Sequence, residues 1–321
     1  MLTAIAAVIL GFVLLVWSAE RFVSGAAGVA IDLGVSPLII GLTIVGFGTS
    51  APEILISSLS AWQGNPGLAV GNALGSNIAN MALILGAAAV IAPMAVESKI
   101  LRREMPLLLG VMLLSLLLLV DLRLDEFDGA LLLLALLLVM AWLVRQGMAR
   151  DGRDDRLESE FADEIPRDMP IGWALFWLLA GLLVLAASSR LLVWGAVEIA
   201  EWMGLPDLII GLSIVAIGTS LPELATSVAA ALKREHGIAL GNVIGSNIFN
   251  SLAVLGLPGL IAPHFIDVAV LWRDMSVQFA LTLLVIGMAL PRGGDGHISR
   301  AQGGILLALF FTYQSLLFIL P

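Results

Sequence analysis

The sequence predicts an all-α integral membrane protein of ten transmembrane helices. They form two inverted five-helix repeats, with helices 2, 3, 7 and 8 broken around an ion site at the bilayer midplane. Three observations predict this. Hydrophobic residues make up 60% of the 321 residues and charged residues 13%, a composition that excludes an ordinary soluble globule. Apolar runs of about 20 residues recur along the chain, each long enough to cross a hydrocarbon core of roughly 30 Å. The stretch Gly41-Leu-Thr-Ile-Val-Gly-Phe-Gly-Thr-Ser-Ala-Pro-Glu53 returns as Gly211-Leu-Ser-Ile-Val-Ala-Ile-Gly-Thr-Ser-Leu-Pro-Glu223. The offset is constant, since Thr219 minus Thr49 and Glu223 minus Glu53 are both 170, and residues 41–93 share 25 identities in 53 positions with 211–263. This is an internal duplication.

Taken in order, the spans run roughly 2–28, 36–62, 68–92, 104–121 and 127–147, then 171–197, 206–232, 238–262, 273–291 and 301–320. The first, from Leu2 past Trp17, lacks a basic segment before it and a small-residue cleavage site after it, and it has a counterpart near 172–194. It reads as a mature helix rather than a signal peptide. Spans 2, 3, 7 and 8 are interrupted by glycine, proline and polar residues. The other six are continuous and rich in leucine, alanine and valine. Five spans per half make the second repeat enter the membrane in the opposite direction. The chain thus divides into a first repeat (1–149), a connector (150–169) and a second repeat (170–321).

The connector holds Asp151, Asp154, Asp155, Glu158, Glu160, Asp163, Glu164 and Asp168 against Arg153, Arg156 and Arg167, and accounts for much of the net charge of −9. It lacks EF-hand spacing and reads as a solvated connector. With no cysteine in the chain, disulfides and thiolate metal sites are excluded. Twelve lysines and arginines lie on the odd-numbered loops: Lys99, Arg102, Arg103, Arg145, Arg150, Arg153, Arg156, Arg167, Lys233, Arg234, Arg292 and Arg300. The opposite side has only Arg123 and Arg273, with Arg21 and Arg190 inside spans 1 and 6. The basic bias puts the connector in the cytoplasm and both termini outside.

A carboxylate at the bilayer centre costs roughly 2.5–3.5 kcal/mol or more, so Glu53 and Glu223 are functional by default. Pro52 and Pro222 remove a backbone donor and break or kink each helix near Thr49 or Thr219. Freed carbonyls, hydroxyls and a carboxylate make an all-oxygen site for a hard cation. Asn72, Ser76 and Asn80 stand at i, i+4 and i+8, and Asn242, Ser246 and Asn250 repeat them, one stripe per facing helix. Ser76, Asn80, Ser246 and Asn250 supply neutral oxygen donors, whereas Asn72, Asn77, Asn242 and Asn247 also fit plain helix–helix hydrogen bonding. Two carboxylates match one divalent cation, or a larger number of sodium ions. A site that chooses between those occupancies is the minimal machinery of an antiporter.

Gly-Thr-Ser-x-Pro-Glu followed by Gly-Asn-x-x-Gly-Ser-Asn-x-x-Asn, in both halves, closely resembles the sodium/calcium exchanger family, in its compact prokaryotic branch. The resemblance covers essentially the whole chain. It implies exchange of sodium for calcium by alternating access, helices 1 and 6 sliding against the other eight. It implies calcium held by the Glu53 and Glu223 carboxylates and the Thr49 and Thr219 carbonyls. Sodium would use these groups with Ser50, Ser220, Ser76, Ser246 and the carbonyls of Gly46 and Ala216. Two positions depart from the family pattern. Gly46 replaces the usual alanine, which a backbone ligand tolerates. Asn250 stands where many members carry aspartate, so no potassium requirement carries over.

The transported ions are Ca2+ and Na+, with no cofactor, no nucleic acid and no obligate protein partner; the lipid bilayer is the surroundings. A proton-driven calcium antiporter is the nearest rival. An intramembrane hydrolase would need a base beside Ser50 or Ser220, and no histidine or lysine lies at membrane depth. His236, His264 and His297 fall at span ends, and Arg273 beside Trp272 reads as an interfacial anchor. Glu20 and Arg21 are placed to pair locally.

Overall fold

The structure, a computed structural model, describes residues 1–32, 50–96, 100–148, 169–232, 234, 236–290 and 296–319. The first arm of span 2, with Gly46 and Thr49, and the connector from 150 to 168 lie outside the described residues.

Among the described residues eleven helices carry the fold. In the first half these are α1 (Leu2–Asp32), α2 (Ala51–Trp62), α3 (Pro66–Ile91), α4 (Met105–Leu119) and α5 (Glu126–Met148). In the second half they are α6 (Ile171–Met203), α7 (Asp207–Thr219), α8 (Leu221–Leu232), α9 (His236–Ile261), α10 (Val270–Ala289) and α11 (Arg300–Ile319). Local chemistry sets their ends. Pro52 and Pro66 sit in the first turns of α2 and α3, where a missing N–H costs nothing. Gly64 (φ +85°) and Gly204 (φ +65°) take left-handed turns after α2 and α6, conformations that favour glycine. Ala92 (φ −137°, ψ 117°) and Ala262 (φ −147°, ψ 81°) leave the helical region before Pro93 and Pro263 and end α3 and α9, as the residue before a proline is steered away from the helix.

Seven of the described helices are long and apolar enough to cross a membrane, or eight if α7 and α8, bent by 45°, form one span. Of the remaining predicted spans, one continues into α2 and the other is α4, whose 15 residues follow a π turn at Ile100–Glu104. Lipid-facing residues such as Val13, Leu117, Leu138 and Leu183 are exposed, as a bilayer allows and water does not.

One expectation is corrected. Spans 3 and 8 are not broken: α3 and α9 are continuous helices. Their asparagines stay helical while their side chains bond to neighbouring helices, Asn72 and Asn242 to α2 and α8 and Asn80 to Asn247, and no proline interrupts the stretch around the asparagines. Each helix instead takes a π turn, Ala79–Ile84 in α3 and Asn250–Val254 in α9. The turn closes by Leu85 N–H donating to Asn80 O in one and by Leu255 N–H donating to Asn250 O (3.0 Å) in the other. Among the described residues a sharp bend falls at Ser220 between α7 and α8, where Pro222 has no N–H to give to the Gly218 carbonyl; the helical register resumes with Leu224 N–H on Ser220 O at 3.0 Å.

Two cores hold the fold. The larger joins α3, α4, α9, α10 and α11 around Met81, Met112, Leu252, Val285 and Phe310. The smaller joins α1 to α6 through Leu15, Leu185, Leu192 and Val193, and reaches Ile56 and Val215. Helices α1 and α6 run antiparallel, with Gly195 against Ala4, Gly11 against Leu192, Gly181 against Phe22 and Gly25 against Leu178. Added methyl groups at these glycines would collide with the neighbouring backbone, so the seam is as close as two helices come.

Two short antiparallel ribbons tie loops of opposite halves. Strand β1 (Met94–Val96) pairs with β4 (Gly296–Ile298), Ala95 opposite His297. Strand β2 (Arg123–Leu124) pairs with β3 (His264–Phe265). The three histidines lie at the start of α9, in β3 and in β4, at span ends as expected.

Candidate ion-binding site

The site lies where α2, α3, α7, α8 and α9 meet. Glu53 stands in the first turn of α2 and Glu223 in the first turn of α8, each 1% exposed. Their helices begin right after Ser50 and Ser220, which share one backbone conformation (φ −89°, ψ 2° and φ −83°, ψ 7°). Both carboxylates thus sit near the positive end of a helix macrodipole.

Each glutamate is held by its backbone. Asn72 Nδ2 of α3 donates to Glu53 O at 3.2 Å and to Ser57 Oγ at 2.9 Å. In the other half Asn242 Nδ2 of α9 donates to Glu223 O at 3.3 Å and to Ser227 Oγ at 2.9 Å. The same clamp recurs at an offset of 170 in donor and in both acceptors. Neither Ser57 nor Ser227 is a predicted site residue; each lies four residues after its glutamate, the i, i+4 signal that could have found it.

The two halves interlock at Thr219. Its Oγ1 has three oxygens around it: Asn72 Oδ1 at 3.1 Å, Ala216 O at 3.2 Å and Ser76 Oγ at 3.4 Å. The Glu53 side chain lies beside Thr219 and Ser220 and within electrostatic reach of Glu223. Ser246 Oγ donates to Glu223 Oε1 at 3.3 Å. Deeper in, α3 and α9 cross. Asn80 Nδ2 donates to Asn247 Oδ1 (2.9 Å), Asn77 Nδ2 to Ser251 Oγ (3.0 Å), and Ser115 Oγ to Ser251 O (3.2 Å). Helix α7 carries its own π turn at Gly211–Val215, and Gln314 Nε2 of α11 donates to Leu212 O at 3.1 Å.

Several buried oxygens have no hydrogen-bond partner among the described residues. They include both oxygens of Glu53, Oε2 of Glu223, the hydroxyls of Ser50 and Ser220, and the amide oxygens of Asn80 and Asn250. Buried polar groups are normally paired, and a concentration of unpartnered lone pairs around two carboxylates is the donor set of a hard cation. No group of three or more histidines, cysteines, aspartates or glutamates that could hold a metal occurs among the described residues. Among the described residues the two carboxylates are surrounded by neutral oxygens.

The structure thus brings together Glu53, Glu223, Thr219, Ser220, Ser76 and Ser246, with Ala216 O one turn before Ser220; Asn80 and Asn250 sit at the π turns of α3 and α9. Thr49 and Gly46 lie outside the described residues. This polar block is what a cation carrier needs at membrane depth.

The profile described as "Sodium/calcium exchanger protein" matches residues 3–145 and 173–319. The chain belongs to the sodium/calcium exchanger family. It is 52% identical over 318 residues to the putative antiporter CaxA of Alkalimonas amylolytica, covering 99% of each chain. It is 30% identical to the sodium/calcium exchanger MaX1 of Methanosarcina acetivorans, covering 97% of each. Among solved structures it resembles the sodium-calcium exchanger NCX_Mj, with TM-score 0.65 and 32% identity over 97% of this chain and 98% of that one. Family members are transporters, not enzymes, and this exchanger is a cation/calcium antiporter. The family transports Na+ and Ca2+ without a cofactor.

Two readings of single residues are corrected. Arg273 is not merely an interfacial anchor: its Nε donates to Asp274 Oδ1 at 2.8 Å, and Tyr313 of α11, the sole tyrosine, donates to the same oxygen at 2.9 Å. Asp274 is fully buried, a further buried carboxylate whose adjacent arginine was the available signal. Arg21 does not pair with Glu20; its guanidinium lies over aromatic rings of α1 and α6.

Proposed function

We propose that this exchanger moves calcium against sodium across the plasma (inner) membrane by alternating access. Calcium is held by the carboxylates of Glu53 and Glu223 and the carbonyls of Thr49 and Thr219. Sodium ions use these groups with Ser50, Ser220, Ser76, Ser246, the amides of Asn80 and Asn250, and the carbonyls of Gly46 and Ala216. The observation that carries this reading is the set of unpartnered buried oxygens. Hydroxyls, amides and carbonyls outnumber the two carboxylates, so a second, weakly charged cation finds neutral donors that proton exchange would not need.

The architecture behind this is ten helices in two inverted five-helix repeats, with the connector cytoplasmic and both termini outside. The antiparallel packing of α1 on its repeat mate α6 supports the inversion. So do the ribbons: under the 170 offset β1 answers β3, and the two ribbons join loops on opposite faces. The slide itself would carry α1 and α6 as a pair against the other eight helices.

Calcium uptake into sodium-loaded proteoliposomes tests the coupling. Uptake should follow an outward sodium gradient and be indifferent to an imposed pH gradient. Uptake driven by the pH gradient alone, without sodium, would replace sodium by protons as the counter-ion. A C-terminal reporter active only in the cytoplasm should be silent in cells.

A further inference from the structure

One end of the α1–α6 pair carries a cluster apart from the ion site. Trp17 of α1 meets Trp177 of α6 edge-on, with ring centroids 6.0 Å apart. Trp173 stacks on Trp177 at 6.4 Å with its plane 27° away, and Phe176 packs edge-on against both. Arg21 lies over this platform, its guanidinium carbon 4.9 Å from the Trp177 ring and 6.0 Å from the Trp17 ring. Trp17, Trp173 and Phe176 are 41%, 54% and 50% exposed, so the platform faces the surroundings of the protein. Among the described residues no carboxylate pairs with Arg21; Glu20 beside it is exposed and points round the helix by about 100°.

The depth of the cluster decides what surrounds it. Arg21 stands about 28 Å along α1 from Leu2 at 1.5 Å per residue, the edge of a hydrocarbon core of about 30 Å. Tryptophans at that level form the interfacial belt where lipid headgroups lie. The guanidinium is planar, permanently charged and suited to bidentate contact with a phosphate. Its stacking on indole fixes its orientation at little entropic cost. The cluster is not a product of the repeat. The positions equivalent to Trp17, Arg21, Trp173 and Trp177 at the other end of the pair are Ala187, Leu191, Thr3 and Ala7.

We propose that Arg21, with Trp17, Trp173 and Trp177, binds the headgroup of an anionic phospholipid at the connector-side end of α1 and α6. The site spans both helices of the seam, so an occupied headgroup braces the two against each other. Charge selects the lipid: a headgroup with no ammonium of its own leaves the guanidinium as the counter-charge, and the connector side is the basic side, facing the anionic leaflet.

The test reads binding and needs no transport, so it stands apart from the sodium coupling. The whole protein is placed in phosphatidylcholine vesicles containing brominated phosphatidylglycerol or brominated phosphatidylcholine, and tryptophan quenching is compared. Local enrichment of the anionic lipid should be about fivefold, the equivalent of ~1 kcal/mol for one basic residue at the surface. Arg21→Gln should lose the preference and Arg21→Lys should keep most of it. Arg123→Gln, at the opposite end of the molecule over Phe265, should leave it intact. Thermal unfolding of each variant in neutral detergent checks that the fold is unchanged. Equal quenching by the two lipids in the unaltered protein overturns the proposal. So does a preference that survives Arg21→Gln, or one lost equally in Arg21→Lys.

Discussion

Along the α1–α6 seam glycine lies on backbone, and among the described residues no side-chain hydrogen bond passes from one helix to the other. Ser18, Ser188 and Ser189 all bond back into their own helices. Across the polar block the reverse holds. Asn72, Asn80, Ser115 and Thr219 each bond to another helix, and several bonds cross from one half of the chain to the other. The seam is held by dispersion alone, individually weak and collectively large, so α1 and α6 stay together as one pair. The block is held by directional bonds, and each one broken in a buried setting costs about 1–3 kcal/mol. Alternating access asks for both properties in one molecule, one part that slides and one that keeps cation ligands in place.

Breaking the block at its charges should have the largest effect. Glu53→Gln and Glu223→Gln each keep the side-chain shape and remove half of the site's negative charge. Calcium exchange in proteoliposomes should fall to background in both, with the protein still inserted and folded by thermal-shift assay. Near-normal flux in either would show that the two carboxylates do not act as one site.

Stiffening the seam comes next. A methyl group on Gly25 would run into the Ala174–Leu178 backbone of α6, overpacking that costs about 1–3 kcal/mol. Gly25→Ala should slow exchange by about tenfold or more while calcium binding, read by isothermal calorimetry, stays unchanged. Equal losses of binding and flux would mean that the seam shapes the site rather than holding the moving pair together. Gly218→Ala probes where the pair meets the block instead. The Phe12 ring of α1 packs directly on Gly218 beside Thr219, and a methyl there would displace that ring.

Loosening the clamps should have a smaller effect. Asn72→Ala or Asn242→Ala frees a glutamate carbonyl and a serine hydroxyl, a loss of about 1–3 kcal/mol. Calcium affinity should weaken by roughly 5- to 100-fold, since 1.4 kcal/mol is tenfold, with similar values for the two because the clamps match. A strongly unequal pair would show that the halves do not share the ion evenly.

The finest contrast lies between Asn80 and Asn250, which the duplication makes equivalent. Asn80 bonds to Asn247 at 2.9 Å, whereas both side-chain atoms of Asn250 lack a partner. Asn80→Ala should therefore lower the melting temperature by a few degrees, as about 1 kcal/mol does in a protein of this size. Asn250→Ala should leave stability nearly intact and weaken cation binding instead. The opposite pattern in a thermal-shift and calcium-titration pair would reverse the two roles.

Much of this protein was legible in its residues, because the signals are local. Twenty-residue apolar runs mark helices whatever they pack against, and the ends of α3, α5, α9 and α11 lie within a few residues of the expected spans. A duplicated Gly-Thr-Ser-x-Pro-Glu needs no fold to be seen, and carboxylates in an apolar run announce a site by their desolvation cost alone. The tertiary structure decided what depends on neighbours. Glycine and asparagine suggested breaks in α3 and α9, but the asparagine side chains bond to neighbouring helices while the backbone stays helical, and a π turn at Asn80 and Asn250 replaces the break. Strands of two or three residues leave no periodic trace, and they form because loops of opposite halves are brought side by side. Asp274 is held by Arg273 from its own helix and by Tyr313 from 39 residues away, and Arg21 lies on a tryptophan from the other half of the chain. Hydrophobicity is a property of each residue and can be read in order; a hydrogen bond or a ring contact belongs to a pair, and only the fold selects the pair.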